Sequence, residues 1–434
     1  MILEDRFNYS LNFYNKSENI LEMALNEVPS YIPWKKLDIC SNAPINERYD
    51  NLPELTKQMI RDGFPLGLVP MHKDLQEGLS SEEVEYTFTS GTTGDRVVNI
   101  FNQSWWNEAE KVSWKLNSHT ASFTYPQKEA KLASSLNVGI SCEEDLPYES
   151  RIVGNKLYLN EKISLIQWQN KHYARMVAEL DLFKPVILEV NPSLFTRLCY
   201  WIIDNEVDVF SPEVIIFTYE FISGIHKRTI EKVFNSPIIS SYGTTETGFV
   251  MMECEDGLLH QNTEFCRIDF HPLKECFGGR ELGRILVTTF NNPWNVVIKF
   301  DTGDLVRLHP SGICSCGRRE GMIVEVVEGR TSNCTFTLEG GLVTTKNLDD
   351  VISKIPPIRD YNMIQKNENS YHLGIMLSHE YKGLKDDITD TLKTLYGNKG
   401  RYDIEIVENL IQGPAGKFRR TQTEFNYDWS SLFI

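Results

Sequence analysis

Three short segments group hydroxyls, glycines and carboxylates at spacings that could hold phosphate. The first runs from Thr89 to Gly94 and reads Thr-Ser-Gly-Thr-Thr-Gly, between a predicted strand and a predicted helix. Its backbone N–H groups and hydroxyls are donors that phosphate oxygens can accept from. The segment lacks the Gly-Lys-Ser/Thr ending of a P-loop, so on its own a glycine-rich turn without function also fits it.

The second segment, Ser241 to Gly248, follows a predicted strand and places Tyr242 and Glu246 in one exposed turn. Stacking a nucleobase on an aromatic ring contributes about 1–3 kcal/mol. A carboxylate such as Glu246 can hold Mg²⁺ against a phosphate, because hard cations prefer oxygen ligands. An ordinary surface turn explains these residues equally well.

The third segment, Asp301-Thr302-Gly303-Asp304, is expected to follow a β-hairpin. A carboxylate at this place could accept hydrogen bonds from both hydroxyls of a ribose. An acidic turn without a ligand explains the tetrapeptide about as well.

A different chemistry is indicated by Cys254, His260, Cys314 and Cys316, which form a C-x5-H pair and a C-x-C pair. Three thiolates and one imidazole make a closed tetrahedral set for Zn²⁺, with no position left for water. Reduced thiols on buried loops are the alternative. The other cysteines lack such spacing and are expected to be small buried residues; they are Cys40, Cys142, Cys199, Cys266, Cys276 and Cys334.

Strand and helix patterns alternate through the middle of the chain, which predicts a largely parallel sheet. The predicted strands are Glu83 to Phe88, Pro185 to Glu189, Val214 to Phe217 and Pro237 to Ser241, and the predicted helices are Gln103 to Leu116 and Gly224 to Phe234. Ser193 is expected to cap a further helix whose buried stripe includes Leu194 and Leu198. Ligands bind at the carboxyl ends of the strands in such sheets, where the first two segments would lie.

The pattern changes near Gly283 to a hairpin of Arg284 to Phe290 and Asn295 to Phe300. Beyond Arg330 a strand, helix, strand series ends near Val407. We therefore predict an α/β protein with a domain boundary at Arg330. Residues 1–330 would form a large domain with mostly parallel sheets flanked by helices, and residues 331–434 a small α+β domain.

The chain has 434 residues, of which 41% are hydrophobic and 24% charged, as in an ordinary globular protein. Its formal charge of −16 opposes binding to nucleic acid or to an anionic membrane surface. The first residues do not resemble a signal peptide, and no apolar stretch is long enough to span a bilayer. Nine cysteines without a secretion signal favour reduced thiols or metal ligands, so a cytoplasmic location is expected.

The three segments occur in a fixed order, with Gly329-Arg330 at the predicted boundary and Gly413 to Lys417 near the end. In this arrangement the chain resembles the adenylate-forming superfamily of acyl-CoA ligases, peptide-synthetase adenylation domains and luciferases, from about Glu83 to Arg420. It looks most like the phenylacetate-CoA ligase family. The details behind that narrower resemblance are the helix after the first loop, the Cys254 to His260 segment and Cys314 to Arg318.

The resemblance implies a role for each motif residue. Binding of ATP phosphates is implied for Ser90, Gly91, Thr92, Thr93 and Gly94. The turn would supply adenine stacking by Tyr242 beside Gly243 and Thr244, phosphate contact by Thr245 and magnesium binding by Glu246. Asp304 would hold the ribose, and Arg330 would lie at the hinge with a ribose contact. Lys417 would bridge the acyl carboxylate and the α-phosphate, so Lys417, Glu246 and Thr245 are the implied catalytic residues.

Substrate and metal binding follow from the same resemblance. The acid pocket would lie beside the adenine turn, lined by Tyr219, Glu220, Ser240, Gly243 and Phe249, and would take an aryl or medium apolar acid. Glu220 could instead cap a core element. Some members of the resembled family look able to hold a metal at the positions that match the four Cys and His residues, which favours a structural Zn²⁺ there.

The motifs depart from the family pattern in four places. Asp95-Arg96 stands where a Lys-Pro or Pro-Lys pair is usual, so the loop cation is either Arg96 or missing. The usual Arg before the Thr-Gly-Asp motif appears as Lys299 or Asp301. Acidic hinge residues are replaced by Ser332 and Asn333, and the Arg-Gly that usually follows them appears as Glu339-Gly340. The hinge and the second half-reaction are therefore less well specified than adenylation.

These features favour an enzyme that activates a small carboxylic acid with ATP and Mg²⁺ and passes the acyl group to a thiol, with coenzyme A as the first candidate. A ligase that loads a carrier protein is one alternative; its docking patch would be Lys227-Arg228 or Arg419-Arg420. A non-catalytic adenylate-binding protein is another, although Lys417 argues against it. The sequence leaves the oligomeric state open, a homodimer included.

Overall fold

The computed structural model describes residues 6–38, 41–88, 97–133, 146–159, 168–410 and 417–434. The chain forms two compact units. The first unit consists of Met1–Phe123, Ser241–Pro272 and Glu281–Val326, and the second of Thr124–Ser240, Leu273–Arg280 and Val327–Ile434. The chain passes from the first unit to the second at Val326, a few residues before Arg330. A boundary between domains 1–330 and 331–434 stays a prediction.

The first unit is built on antiparallel strands and N-terminal helices. Its helices are Leu11–Glu27, Ile45–Asp50, Lys57–Gly63, Leu75–Ser80 and Gln103–Ser113. Its strands are Glu85–Phe88, Val98–Phe101, Gly248–Glu253, Leu259–Gln261, Cys266–Pro272, Leu282–Thr289 and Phe300–Leu308. Two further strands, Ile238–Thr244 and Ile323–Arg330, begin in one unit and end in the other.

Helix Leu11–Glu27 shows why the first unit folds as it does. The Ser10 side chain accepts from the Phe13 N–H and so caps the helix. Apolar residues at helical spacing, among them Phe13 and Leu21, are buried on one face. They pack in one core cluster with residues such as Phe290 and Phe300, which flank the apolar run before the third motif. The core thus supports the strand that carries Asp304.

The second unit contains the predicted parallel sheet. Its neighbouring strands are Ile238–Thr244, Val214–Phe217, Ile187–Val190, Glu129–Leu132, Lys156–Tyr158 and Ile152–Val153 in that order. All described pairings among the first five are parallel, and only Ile152–Val153 is antiparallel. Helices Asn170–Phe183 and Pro192–Asn205 pack their apolar faces on this sheet in one core cluster. The alternating pattern therefore predicted this sheet correctly.

The end of the chain forms a second, smaller sheet, as predicted for an α+β region. Its order is Arg401–Ile406, Ser370–Leu377, Ile358–Asn367 and Thr421–Thr423. Helices Thr345–Ile352 and Leu384–Tyr396 share its core, and the short strands Thr335–Phe336 and Leu342–Val343 pair with each other. Helix Gly224–Glu231 of the same unit contributes Ile225 to this core. The mixed α/β architecture is thus as expected.

Three local predictions are corrected. The hairpin before the third motif is formed by Leu282–Thr289 and Phe300–Leu308, so Asp301 to Asp304 lie inside the second strand and not after it. The strand Ile238–Thr244 likewise continues through Tyr242. Cys276 is exposed, whereas Cys199, Cys266 and Cys334 are buried as predicted; Cys40 and Cys142 lie outside the described residues.

The cap of helix Pro192–Asn205 also differs from expectation. Asn191 is the N-cap and accepts from the Leu194 N–H at 3.1 Å, while Ser193 lies inside the first turn. Pro192 occupies the first helical position, where its missing N–H costs nothing. The sequence pattern identified the helix but placed its first residue two positions late.

Asn191→Ala is expected to lower the free energy of unfolding by about 1 kcal/mol, because the Leu194 N–H loses its acceptor. Asn191→Ser should retain most of the stability, since serine caps helices about as well as asparagine. Urea unfolding of the two variants and the parent chain would measure this. Equal stability of all three proteins would mean that the Asn191 cap contributes nothing.

Candidate functional site

The second motif forms a tight hairpin in the first unit. Strand Ile238–Thr244 pairs with Gly248–Glu253, and the register shifts between Tyr242 and Gly243. A Cβ atom on Gly243 would lie 2.1 Å from the Gly248 carbonyl oxygen, so only glycine permits this close approach. The motif is not the exposed turn that the sequence suggested, because Glu246 and Thr247 are buried. Thr244 and Thr245 are partly buried, and Gly243 is exposed.

Two of the implied nucleotide-binding residues meet in this unit. The Tyr242 hydroxyl donates to Asp304 Oδ2 at 2.8 Å. Asp304 reaches this place from strand Phe300–Leu308, directly after Gly303, whose φ of +73° favours glycine. Both residues are partly exposed. The ring proposed to stack on adenine is therefore adjacent to the carboxylate proposed to hold ribose.

Glu246 fits a cation. Glu246 is only 4% exposed, and its Oε1 has no hydrogen-bond partner among the described residues. A buried carboxylate oxygen without a donor is unfavourable unless a cation or another donor compensates it. Oxygen ligands of this kind suit Mg²⁺. The Thr244 and Thr247 hydroxyls, 3.0 Å apart, add further oxygen atoms to the same turn.

The phosphate loop itself, Ser90, Gly91, Thr92, Thr93 and Gly94, lies outside the described residues, as does the candidate loop cation Arg96. Neither Lys299 nor Asp301 replaces the missing family arginine. The Lys299 ammonium is buried and donates to the carbonyls of Tyr49 and Leu52, at 2.6 and 2.9 Å. Burial lowers its pKa. Asp301 accepts from Arg284 at 2.7 Å. Both side chains are engaged within the protein.

The four predicted zinc ligands converge in the first unit. Their ligand atoms all lie within 4.8 Å of one another. The Cys254 and Cys314 sulfurs are 3.7 Å apart, and the Cys316 sulfur is 3.4 Å from His260 Nε2. A tetrahedral site with Zn–S bonds of about 2.3 Å separates two sulfurs by about 3.8 Å and sulfur from nitrogen by about 3.6 Å. These two separations therefore fit a tetrahedral Zn²⁺ site.

Strand pairing and turns bring these ligands together from distant parts of the sequence. His260 lies in strand Leu259–Gln261 and pairs in register with Met252 and Ile323. Cys254 follows the neighbouring strand, and Gly317, with φ of +85°, allows the turn after Cys316. The sequence analysis missed Asp256, whose carboxylate accepts from Ser315 at 2.7 Å and lies 3.7 Å from the Cys314 sulfur. It supports the ligand loop from the outside.

The candidate acid-pocket residues divide between the units. Gly243 and Phe249 belong to the first unit, and Tyr219, Glu220 and Ser240 to the second. The Tyr219 hydroxyl donates to Glu189, which also accepts from Lys131 at 2.6 Å. Burial and the adjacent Glu189 carboxylate raise the pKa of Tyr219. Sequence analysis did not identify Glu189 and Lys131 as partners of Tyr219, because the two charged residues lie on separate strands.

Glu220 is engaged on both carboxylate oxygens. Oε2 accepts from the Ser193 hydroxyl at 2.7 Å, and Oε1 accepts from the Phe418 N–H at 3.0 Å. These two contacts agree better with the alternative that Glu220 caps a core element than with a role as a pocket-lining residue alone. Phe418 directly follows Lys417, which is partly buried in the second unit. Arg330, also partly buried, ends strand Ile323–Arg330 in this unit.

The structure argues against Arg420 as part of a carrier-docking patch. Arg420 is 4% exposed, and its guanidinium pairs with Asp360 at 2.6 Å. A buried arginine paired in this way cannot attract a partner protein. Lys227 and Arg228 are exposed, although Arg228 also donates to the Ser353 carbonyl. Among the described residues, no helix is both long and apolar enough to cross a membrane.

Residues 335–424 match the family of CapK C-terminal domains. Protein CapK of Staphylococcus aureus is 22% identical over 247 residues, which are 56% of this chain and 54% of CapK. The match therefore spans about half the length of this curated relative.

Two solved ligase structures are similar in fold. 2-Hydroxyisobutyryl-CoA ligase in the postadenylation state, in complex with 2-HIB-AMP, has a TM-score of 0.70 at 15% identity, covering 95% of this chain and 89% of the ligase. The anthranilate CoA ligase AuaEII in complex with anthranoyl-AMP has a TM-score of 0.54 at 14% identity, covering 94% and 89%. The chain thus has the fold of adenylate-forming ligases. The narrower resemblance to phenylacetate-CoA ligases rests on the sequence motifs alone.

Proposed function

We propose that the protein uses ATP to convert a carboxylic acid into an acyl-adenylate, with release of pyrophosphate, and then transfers the acyl group to the thiol of coenzyme A. The observation that carries this proposal is the hydrogen bond from Tyr242 to Asp304, together with the buried Glu246 of the same hairpin, whose Oε1 has no hydrogen-bond partner among the described residues. These three residues match the adenine, ribose and magnesium positions of the resembled superfamily. They occur on a chain with the ligase fold.

The residues of the turn would bind and orient rather than react covalently. Bound Mg²⁺ and ATP would supply a neutralised polyphosphate whose α-phosphorus the acid attacks. Tyr242 would stack on the base, Asp304 would accept from the ribose hydroxyls, and Thr245 would donate to a phosphate oxygen. Glu246 would hold the cation through the oxygen that has no other described partner. Adenylation then needs positioning and charge neutralisation, with no protein nucleophile.

Lys417 would supply the remaining positive charge. Its ammonium would neutralise charge shared by the attacking carboxylate and the α-phosphate, a contribution that grows as the transition state forms. The second unit carries Lys417, and Arg330 would act at the hinge between domains 1–330 and 331–434. Zn²⁺ bound by Cys254, His260 and the two cysteines of the C-x-C pair would be structural, because four protein ligands leave no place for water.

Exchange of labelled pyrophosphate into ATP is expected when a matching acid is present with Mg²⁺, and the largest rate is expected with an aryl or medium apolar acid. The reversible adenylation step produces this exchange without any thiol acceptor. A broad panel of carboxylic acids, measured with and without Mg²⁺, is the test. ATP binding without exchange for any acid would contradict catalysis and favour a non-catalytic adenylate-binding protein.

The acceptor is decided by a second measurement on the same acid. Coenzyme A should yield a free acyl thioester, whereas a carrier protein should become acylated on its prosthetic thiol. With Arg420 buried, a carrier would have to dock on another basic surface, such as Lys227 and Arg228. A cytoplasmic location and a homodimer are predictions that rest on the sequence.

A further inference from the structure

The chain directly after Lys417 is held in the second unit by a carboxylate at the end of the parallel sheet. The Phe418 N–H donates to Glu220 Oε1 at 3.0 Å, and the Ser193 hydroxyl donates to Glu220 Oε2 at 2.7 Å. Glu220 follows strand Val214–Phe217, and Ser193 lies in the first turn of helix Pro192–Asn205. Glu220, itself hydrogen-bonded by Ser193, therefore holds the backbone one residue beyond Lys417.

The Phe418 side chain is anchored as well as its backbone. Its ring packs against the core cluster of the parallel sheet, which includes Leu194 and Leu198. The Arg197 guanidinium lies 5.2 Å from the ring centroid, within the range of a cation–π contact. Since both the amide and the ring of Phe418 are held, the chain position at residue 418 is well defined.

Arg420, two residues further along the chain, anchors the same segment. It donates to Asp360 Oδ1 at 2.6 Å, contacts His226 Nε2 at 2.6 Å and reaches the Ser193 hydroxyl at 3.5 Å. Burial disfavours charge on Asp360, but the Arg420 guanidinium outweighs it and lowers the Asp360 pKa. Burial and the Arg420 charge lower the His226 pKa to about 3, so His226 is a neutral acceptor. The anchor is thus a fully engaged buried network.

We infer that Glu220 is a positioning residue for Lys417: by holding the Phe418 amide it places the lysine for adenylation. This inference rests on the proposed role of Lys417. Consecutive Cα atoms are about 3.8 Å apart, so holding residue 418 limits where the Lys417 side chain can begin. A displacement of about 1 Å at a catalytic group can cost about a hundredfold in rate. Glu220 thereby acts through the backbone and not on the acid.

Glu220→Ala is the direct test. Removing the acceptor of the Phe418 N–H should slow pyrophosphate exchange about tenfold to a hundredfold, as expected when a buried N–H loses its acceptor. The KM for the acid should change little, because Glu220 does not bind it in this account. Hydrogen–deuterium exchange in peptides containing Phe418 should become faster. Glu220→Gln keeps a carbonyl acceptor, so it should lose less than Glu220→Ala in both measurements.

Asp204→Asn is the matched control. Asp204 and Arg359 form an exposed ion pair, 2.8 Å apart, between the same two parts of the second unit, residues 124–240 and 327–434. Loss of this carboxylate should leave both exchange measurements unchanged, since exposed ion pairs contribute little. The control separates the Phe418 contact from general loosening of the unit.

Each outcome has one meaning. A raised KM for the acid at an unchanged maximal rate, with normal deuterium exchange at Phe418, would make Glu220 a pocket residue and overturn the inference. Equal losses in Glu220→Gln, Glu220→Ala and Asp204→Asn would also overturn it. If the parent chain shows no pyrophosphate exchange with any acid, the proposed function fails, while deuterium exchange still reports whether Glu220 holds Phe418.

Discussion

Lys417→Ala is expected to slow adenylation by roughly a hundredfold to a thousandfold, with the fold retained. The loss corresponds to about 3–4 kcal/mol, the typical contribution of one preorganised donor that stabilises charge in a transition state. Lys417 is partly buried in a segment whose next residue is firmly held, so its ammonium can be delivered in a defined place. Single-turnover formation of the acyl-adenylate measures the effect.

Lys366→Ala serves as the matched control for this variant. Lys366 is an exposed lysine on strand Ile358–Asn367 of the same unit, so its removal changes net charge equally without touching the Lys417 segment. It should adenylate at the rate of the parent chain. An unchanged rate in Lys417→Ala would show that Lys417 is an ordinary surface lysine. A uniform loss in both variants would indicate a general charge effect.

Lys417→Ala also separates the two half-reactions. If Lys417 leaves the site before the acceptor arrives, Lys417→Ala should convert supplied acyl-adenylate to thioester at a near-normal rate. The substitution of acidic hinge residues by Ser332 and Asn333 makes this a demanding test of domain alternation. Equal losses in adenylation and thioester formation would mean that the lysine stays in place throughout.

The second large effect concerns the metal centre. We expect about one Zn²⁺ per chain, and Cys314→Ser should abolish it and destabilise the surrounding strands. Structural zinc sites contribute on the order of 10 kcal/mol to folding, which exceeds the net stability of many domains. Deuterium exchange should therefore rise in the segments around Cys254 and Cys314. Elemental analysis of the purified protein and of the variant measures the metal directly.

Cys266→Ser is the control for a buried cysteine outside the metal centre. Cys266 lies in the same unit and is fully buried, and its thiol donates to the carbonyls of Val250 and Asn262. This variant should keep its zinc and lose only the small packing contribution of one thiol. A chain that contains no zinc after growth with zinc available would contradict the site. So would Cys314→Ser with unchanged metal content and stability.

Loss of zinc is also expected to affect the hairpin that contains Tyr242. Cys254 follows the strand that pairs with Tyr242, and Cys314 follows the strand that carries Asp304. Loss of the metal would free both loops at the ends of these strands. Weaker ATP binding is therefore expected to accompany the loss of zinc.

Much of the local structure could be predicted from the sequence, because short-range patterns decide it. Strand Val214–Phe217 was predicted with its bounds, and helix Gln103–Ser113 differs only in a last turn that is a 3-10 helix. The parallel sheet followed from alternation of strands and helices. Boundaries that depend on one hydrogen bond were less accurate, as the Asn191 cap shows. A competing capping residue two positions away has the same local chemistry.

The sequence by itself determined which groups are available: three candidate nucleotide-binding motifs, four candidate metal ligands and Lys417 near the end of the chain. Only the tertiary structure decided which of them meet. The hydrogen bonds from Tyr242 to Asp304 and from the Phe418 N–H to Glu220 join residues that are far apart in the chain. The burial of Glu246 also depends on the tertiary structure. Burial likewise argues against Arg420 as part of a carrier-docking patch and against Lys299 as the replacement for the usual family arginine. Such pairings depend on strand order and core packing, which no short stretch of sequence encodes.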